Sequence, residues 1–129
     1  MKRVIAMVVA LIGVAILVMG IVFELQASTA KQTVSDEIAP VTLSTLNDTY
    51  DKVKAGYTQY ATAEGANVQA GKAAPSAAYN YYSAQRALLG LAKSNIATAK
   101  FVMMSGTVDI VLGIGLILTG MVLYMKPAA

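Results

Sequence analysis

Residues 101–125 have the sequence FVMMSGTVDIVLGIGLILTGMVLYM, an apolar stretch in which Asp109 is the only charged residue. As an α-helix this stretch would be about 36 Å long, whereas the hydrocarbon core of a bilayer is about 30 Å thick. A soluble domain of this size has no need of so long an apolar run. The stretch therefore predicts a transmembrane helix, crossing the bilayer with some tilt.

A second apolar run, residues 4–23, follows Lys2 and Arg3 and contains no polar side chain. Twenty helical residues span about 30 Å, which is again a full crossing. The alternative is a cleaved signal peptide, because residues 28–30 (Ser-Thr-Ala) resemble a small-residue cleavage site. The apolar part of a signal peptide usually has about 7–15 residues, so the length favours an uncleaved transmembrane helix.

The composition excludes several classes of function. The chain has 129 residues, 57% of them hydrophobic and 13% charged, and it contains no cysteine, histidine or tryptophan. Disulfides, thiolate or imidazole metal ligands and histidine-dependent nucleophiles are therefore excluded. The sequence also has no phosphate loop, nucleotide fingerprint or paired-carboxylate motif. We expect no enzyme activity, no metal and no cofactor, and the small net charge of +3 gives no reason to expect a nucleic-acid partner.

The basic residues beside the two apolar runs predict the topology. Lys2 and Arg3 precede the first run and Lys126 follows the second. Because cytoplasmic flanks are enriched in lysine and arginine, we expect residues 1–3 and 126–129 to be cytoplasmic. Residues 24–100 would then lie outside, and their length exceeds the loops of about 60 residues that obey this rule. The expected location is the plasma membrane.

The region between the two apolar runs has a helical pattern. We predict helices over residues 24–39, 41–63 and 76–100, with a loop over residues 64–75. Pro40 would end the first of them, and Ser76 is a suitable N-cap for the third. No breaker separates residue 100 from residue 101, so the third helix should continue into the membrane helix.

The predicted helix 41–63 has an apolar seam with alternating spacings of three and four residues, typical of helix packing. The seam consists of Leu43, Leu46, Tyr50, Val53, Tyr57 and Tyr60. It predicts packing against the other two helices. The resulting fold class is an all-α membrane protein, with two transmembrane helices in an antiparallel hairpin and a small extracytoplasmic helical bundle between them.

Glycine recurs every seven residues in both apolar runs, and Asp109 lies on the same helix face. This predicted helix-packing interface consists of Gly13, Gly20, Gly106, Gly113, Gly120 and Asp109. Small residues allow membrane helices to approach closely. The glycines would pack the two helices together or pack one helix onto another subunit, although glycine is also common in membrane helices without such a role.

Asp109 is the residue with the most functional promise, because an acid within a membrane helix costs about 3 kcal/mol near the bilayer centre. Three interpretations remain open: a protonated acid bonded to Ser105 or to backbone, a pairing with a base on another subunit, or a proton or cation relay. Without a second relay group, transport is the weakest of the three.

These features favour a non-catalytic structural or accessory subunit of a larger membrane assembly. Its expected partners are membrane lipid and other membrane subunits or copies of itself. The alternative is a membrane-anchored extracytoplasmic binding or sensing module, supported by the tyrosines of the outer helices. The arrangement of two membrane helices around an outer helical region resembles that of bacterial chemoreceptor sensor modules, although this outer region is short for them.

Overall fold

The computed structural model describes residues 1–125 and contains, within them, three α-helices and no strand. Helix α1 spans Lys2–Glu37, α2 spans Leu46–Gln69 and α3 spans Ala77–Met125. The predicted all-helical class is confirmed, and α1 and α3 each contain an apolar segment long enough to cross a membrane. Only a small share of either segment is buried, unlike the core helix of a soluble domain. Lys126, one basis of the topology prediction, lies outside the described residues.

Helix α2 begins later than predicted, at Leu46 and not at residue 41. The residues before it form a turn closed by two threonines. The N–H of Thr42 donates to Oγ1 of Thr45 at 3.2 Å, and the N–H of Thr45 donates to Oγ1 of Thr42 at 3.3 Å. Threonine hydroxyls that bind nearby backbone groups compete with helix formation. Leu43 therefore lies in a turn, and its side chain is 37% exposed, so its assignment to the helix seam was wrong.

Helix α2 also ends later than predicted, at Gln69, because Gly65 lies inside the helix and does not end it. A lone glycine within a helix costs only about 1 kcal/mol relative to alanine. The chain turns away from the helix at Gly71, two residues after its last residue, where φ is 68°. The N–H of Gly71 donates to the carbonyl of Val68, and that of Lys72 donates to the carbonyl of Asn67. This is the Schellman arrangement that glycine favours at helix C-termini.

The other helix ends agree more closely with the sequence. Helix α1 ends at Glu37, two residues before the expected boundary at 39. Helix α3 runs without interruption from Ala77 to Met125, as the lack of a breaker indicated. Ser76 caps its N-terminus, because its Oγ accepts a hydrogen bond from the N–H of Tyr79 at 3.1 Å.

The chain divides into two compact units, of which the second comprises Lys31–Ala97. Its core consists of Val34, Ile38, Leu46, Leu89 and Ala92. Packed against this core are Val41, Tyr50, Val53 and Ile96. Tyr57 and Tyr60, the remaining members of the predicted seam, are half-buried. The core is small, and Leu89 is its largest fully buried side chain.

The first unit comprises the N-terminal part of α1 (up to residue 30) and α3 from residue 98. Small residues are buried at intervals of seven along both helices. They are Ala6, Gly13, Gly20 and Ala27 in α1, and Ala99, Gly106, Gly113 and Gly120 in α3. Large apolar side chains elsewhere on these helices are exposed, including Leu11, Val18, Val111 and Leu118.

Candidate functional site

The glycines of the two helices in the first unit contact each other through their backbones. A Cβ added to Gly13 would lie 2.8 Å from the carbonyl oxygen of Gly113, and one added to Gly20 would lie 2.6 Å from that of Gly106. A Cβ on Gly120 would lie 2.8 Å from the carbonyl oxygen of Ala6. These contacts step in opposite directions along α1 and α3. Each contact is closer than any real Cβ makes, so no larger residue fits there without helix movement.

The structure adds a polar contact to this surface that the sequence analysis missed. Oγ1 of Thr107 donates a hydrogen bond of 2.7 Å to Oε1 of Glu24. The Cγ of Glu24 lies 3.1 Å from the position of a Cβ on Gly106, so this acid belongs to the same contact surface. The sequence contains an indication of this position. Glu24 follows Gly20 by four residues, just as Leu17 follows Gly13, so the two residues occupy equivalent places on α1.

Asp109 follows Gly106 by three residues in α3 and is half-buried. Its carboxylate makes no hydrogen bond or ion pair with any residue of the described chain, 1–125, and its oxygen atoms are not fully buried. A hydrogen bond to Ser105, which belonged to one of the three interpretations, is therefore not formed. The acid of α1 that lies on the same surface, Glu24, bonds to Thr107 and not to Asp109. Asp109, the one member of the predicted interface with a polar side chain, thus has no polar partner within residues 1–125.

Tyrosines of α2 pack against basic and aromatic residues of α3 in the second unit. The Lys93 Nζ lies 4.4 Å from the ring centroid of Tyr50, and the Arg86 guanidinium carbon lies 4.5 Å from that of Tyr57. These are cation–π distances. From the first contact to the second, α2 advances by seven residues and α3 goes back by seven, so the contacts repeat along one face of two antiparallel helices.

Farther along the same face, the tyrosines pack against each other and against a glycine. The rings of Tyr60 and Tyr82 stack with a centroid separation of 5.5 Å. The ring of Tyr82 also covers Gly56, where an added Cβ would lie 2.5 Å from the ring. Gly56 therefore provides the space that the ring of Tyr82 occupies. The packing supports the interpretation of the tyrosines as seam residues.

One of the tyrosines raises the pKa of another. A side-chain hydrogen bond with Tyr57 raises the pKa of Tyr79, with smaller contributions from desolvation and from the charge of Glu64. The rings of Tyr57 and Tyr79 are 5.9 Å apart. Glu64 also fixes the start of α3, because its carboxylate accepts hydrogen bonds from the N–H of Ser76 at 3.0 Å and from its hydroxyl at 2.8 Å.

A groove of about 340 Å³ lies beside Tyr50 and Tyr57, the two tyrosines that form the cation–π contacts. Its lining combines aromatic, hydroxyl and basic groups with small residues, namely Tyr50, Tyr57, Ser83, Arg86, Ala87 and Gly90. Arg86 is half-buried. Its guanidinium makes no hydrogen bond or ion pair within residues 1–125. The groove thus presents a guanidinium whose N–H groups lack acceptors among the described residues.

No group of three acidic, histidine or cysteine side chains within residues 1–125 is arranged to bind a metal ion. No protein family model, no curated protein and no solved structure matches this chain. The functional argument therefore depends on the residues of the two units themselves.

Proposed function

We propose that this chain is a two-pass membrane protein that serves as a non-catalytic accessory subunit of a larger membrane assembly. The apolar parts of α1 and α3 form an antiparallel transmembrane hairpin, with both termini in the cytoplasm and residues 31–97 outside. The length of the two apolar segments and the exposure of their large side chains support this arrangement. Lipid is a suitable environment for such side chains.

The observation that supports an assembly is the lack of a polar partner for Asp109. The glycines contact each other within the chain, so they give no reason to invoke another subunit. Asp109, by contrast, has no polar partner within residues 1–125 although it is half-buried in an apolar segment. Acids inside membrane segments usually pair with another polar group. A base or hydrogen-bond donor on a neighbouring subunit would supply that partner.

The test compares the assembly with the isolated chain. Asp109→Leu should reduce recovery of the complex from native membranes in mild detergent by about tenfold or more, because the partner group loses its acceptor. The same substitution should leave the isolated chain at least as stable as before, since no internal hydrogen bond is lost. Asp109→Asn should assemble at an intermediate level, because an amide can still accept a hydrogen bond but cannot pair with a base as an ion.

Thr107→Val is the matched control. It removes the internal bond to Glu24, so it should lower the stability of the isolated chain without a specific effect on assembly. Loss of stability of the isolated chain in Asp109→Leu, with normal assembly, would contradict the proposal. A proton relay would give another pattern: full assembly and lost proton-coupled activity in both Asp109→Asn and Asp109→Leu.

The second candidate is a membrane-anchored binding or sensing module. The groove beside Tyr57 and Arg86 specifically favours it, because neither the helix packing nor the assembly proposal assigns a use to that groove. In this case residues 31–97 would bind a ligand outside the membrane. Ligand binding that persists in Asp109→Leu would support this candidate separately from the first.

A further inference from the structure

We propose that the groove formed by Tyr50, Tyr57, Ser83, Arg86, Ala87 and Gly90 binds a small organic anion, with its phosphate or carboxylate group at Arg86 and its apolar body over Ala87 and Gly90. This inference extends the binding-module candidate. It is independent of any pairing at Asp109.

The first argument is that Arg86 contacts an aromatic ring but has no anionic partner. Its guanidinium carbon lies over the ring of Tyr57, 4.5 Å from the centroid. A cation–π contact occupies none of the five N–H donors of the guanidinium with an acceptor oxygen, so these donors can bind an oxyanion. No carboxylate within residues 1–125 forms an ion pair with those donors. The tyrosine fixes the arginine in position without neutralising its charge.

The second argument is the presence of glycine at position 90, which close helix packing does not require. At Gly56 an added Cβ would collide with Tyr82, but at Gly90 the nearest atom would be Cε2 of Tyr50 at 3.5 Å, an ordinary contact. A glycine inside a helix costs about 1 kcal/mol relative to alanine. An added Cβ would meet no atom within 4 Å at Gly65 or Gly115, but neither of these glycines lines the groove, whereas Gly90 does. Its missing side chain leaves space for a ligand.

The third argument is the chemistry of the lining. Tyr50 and Ser83 line the same groove as Arg86, and both carry hydroxyl groups of a type that can bind the remaining oxygens of an oxyanion. The carbon surface of Ala87 and the ring of Tyr50 supply an apolar wall. At about 340 Å³ the groove is at the lower end of the range of about 300–1,000 Å³ found for small-molecule sites. A compact anion with an apolar portion fits this combination.

The experiment uses the full chain in dodecyl maltoside micelles, which contain no phosphate, and phenyl phosphate as the probe in isothermal titration calorimetry. We expect saturable binding of phenyl phosphate, about tenfold weaker binding of inorganic phosphate, and no saturable binding of benzyl alcohol. Arg86→Gln should weaken phenyl phosphate binding by tenfold or more. Gly90→Leu should abolish it by filling the groove.

Gly65→Ala, on α2 and away from the groove, is the matched control and should bind normally. Circular dichroism melts identify any variant that fails to fold, and Arg86→Gln keeps the test valid if Gly90→Leu does not fold. Absence of phenyl phosphate binding, or equal binding by the folded wild type and Arg86→Gln, would overturn the proposal. So would equal affinity for inorganic and phenyl phosphate, because the apolar wall would then have no role.

Phosphatidylglycerol added to the micelles separates two sources of the anion. Competition with phenyl phosphate would assign the groove to a lipid headgroup. Unchanged binding of phenyl phosphate would assign it to a soluble organic anion. Either result supports an anion site in the groove, and the Arg86→Gln comparison remains the decisive one.

Discussion

Alanine substitution at Gly113 and at Gly115 offers a direct test of the close contact between α1 and α3. The two glycines are two residues apart in the same helix. A Cβ on Gly113 would lie 2.6 Å from the backbone nitrogen of Leu17 and 2.7 Å from the carbonyl oxygen of Gly13. A Cβ on Gly115 would meet no atom within 4 Å. The two substitutions therefore differ in the contacts they create, not in the change of residue.

The magnitude follows from those distances. Optimal contacts between heavy atoms are about 3.5–4.0 Å, so the backbones at Gly113 would have to separate by about 1 Å. Overpacking of this kind usually costs about 1–3 kcal/mol. Both variants share the helix-propensity gain of up to about 1 kcal/mol, which cancels in the comparison. We expect Gly113→Ala to be less stable than Gly115→Ala by about 1–3 kcal/mol.

The assay measures separation of α1 and α3 by energy transfer between dyes as SDS is added to dodecyl maltoside micelles. Cysteines replacing Lys2 and Met125 can be labelled specifically, because the chain has no cysteine of its own. These positions adjoin Arg3 and Tyr124, whose guanidinium and ring centroid are 5.8 Å apart. Equal SDS midpoints for the two variants would refute the role of the glycine contacts.

Three further predictions concern residues 31–97. A cysteine in place of the exposed Lys72 should react with an impermeant thiol reagent on intact cells; labelling only after lysis would reverse the proposed topology. Ser76→Ala should lower the stability of the folded chain by about 1 kcal/mol in thermal melts, because α3 loses its N-cap, and Glu64→Ala should lower it similarly. Unchanged melts in both would show that these bonds do not stabilise the start of α3. In a tyrosinate absorbance titration, Tyr57→Phe should lower the raised pKa of Tyr79 towards its ordinary value of 10.0, because the hydrogen bond is lost; an unchanged titration would assign the shift to another cause.

Several features could be predicted from the sequence because they depend on short stretches of chain. The two apolar segments follow from length and composition, and the continuity of α3 follows from the absence of a breaker before Phe101. The cap at Ser76 was recognisable from the residue type after a proline. The seven-residue glycine spacing is also visible in the sequence, but its continuation by Ala6, Ala27 and Ala99 does not stand out there because alanine is common in helices.

Other features depend on tertiary structure. Helix α2 starts at Leu46 because Thr42 and Thr45 form a hydrogen-bonded turn before it. The sequence does not show whether these hydrogen bonds or those of a helix are more favourable. The bond from Thr107 to Glu24 joins residues 83 positions apart, and it exists because the glycines bring two backbones together. The groove at Arg86 is lined by residues of both α2 and α3, so it likewise depends on the register in which these helices pack.

The sequence by itself thus determined which segments are helical and which are apolar enough to cross a membrane, because hydropathy and helix propensity are properties of contiguous residues. Only the tertiary structure decided which polar groups acquire partners. That outcome depends on the register between helices, which is set by all their contacts at once. Glu24 and Asp109 are both acids near the glycine stripes, but the register gives the first a hydroxyl and leaves the second without a partner in residues 1–125.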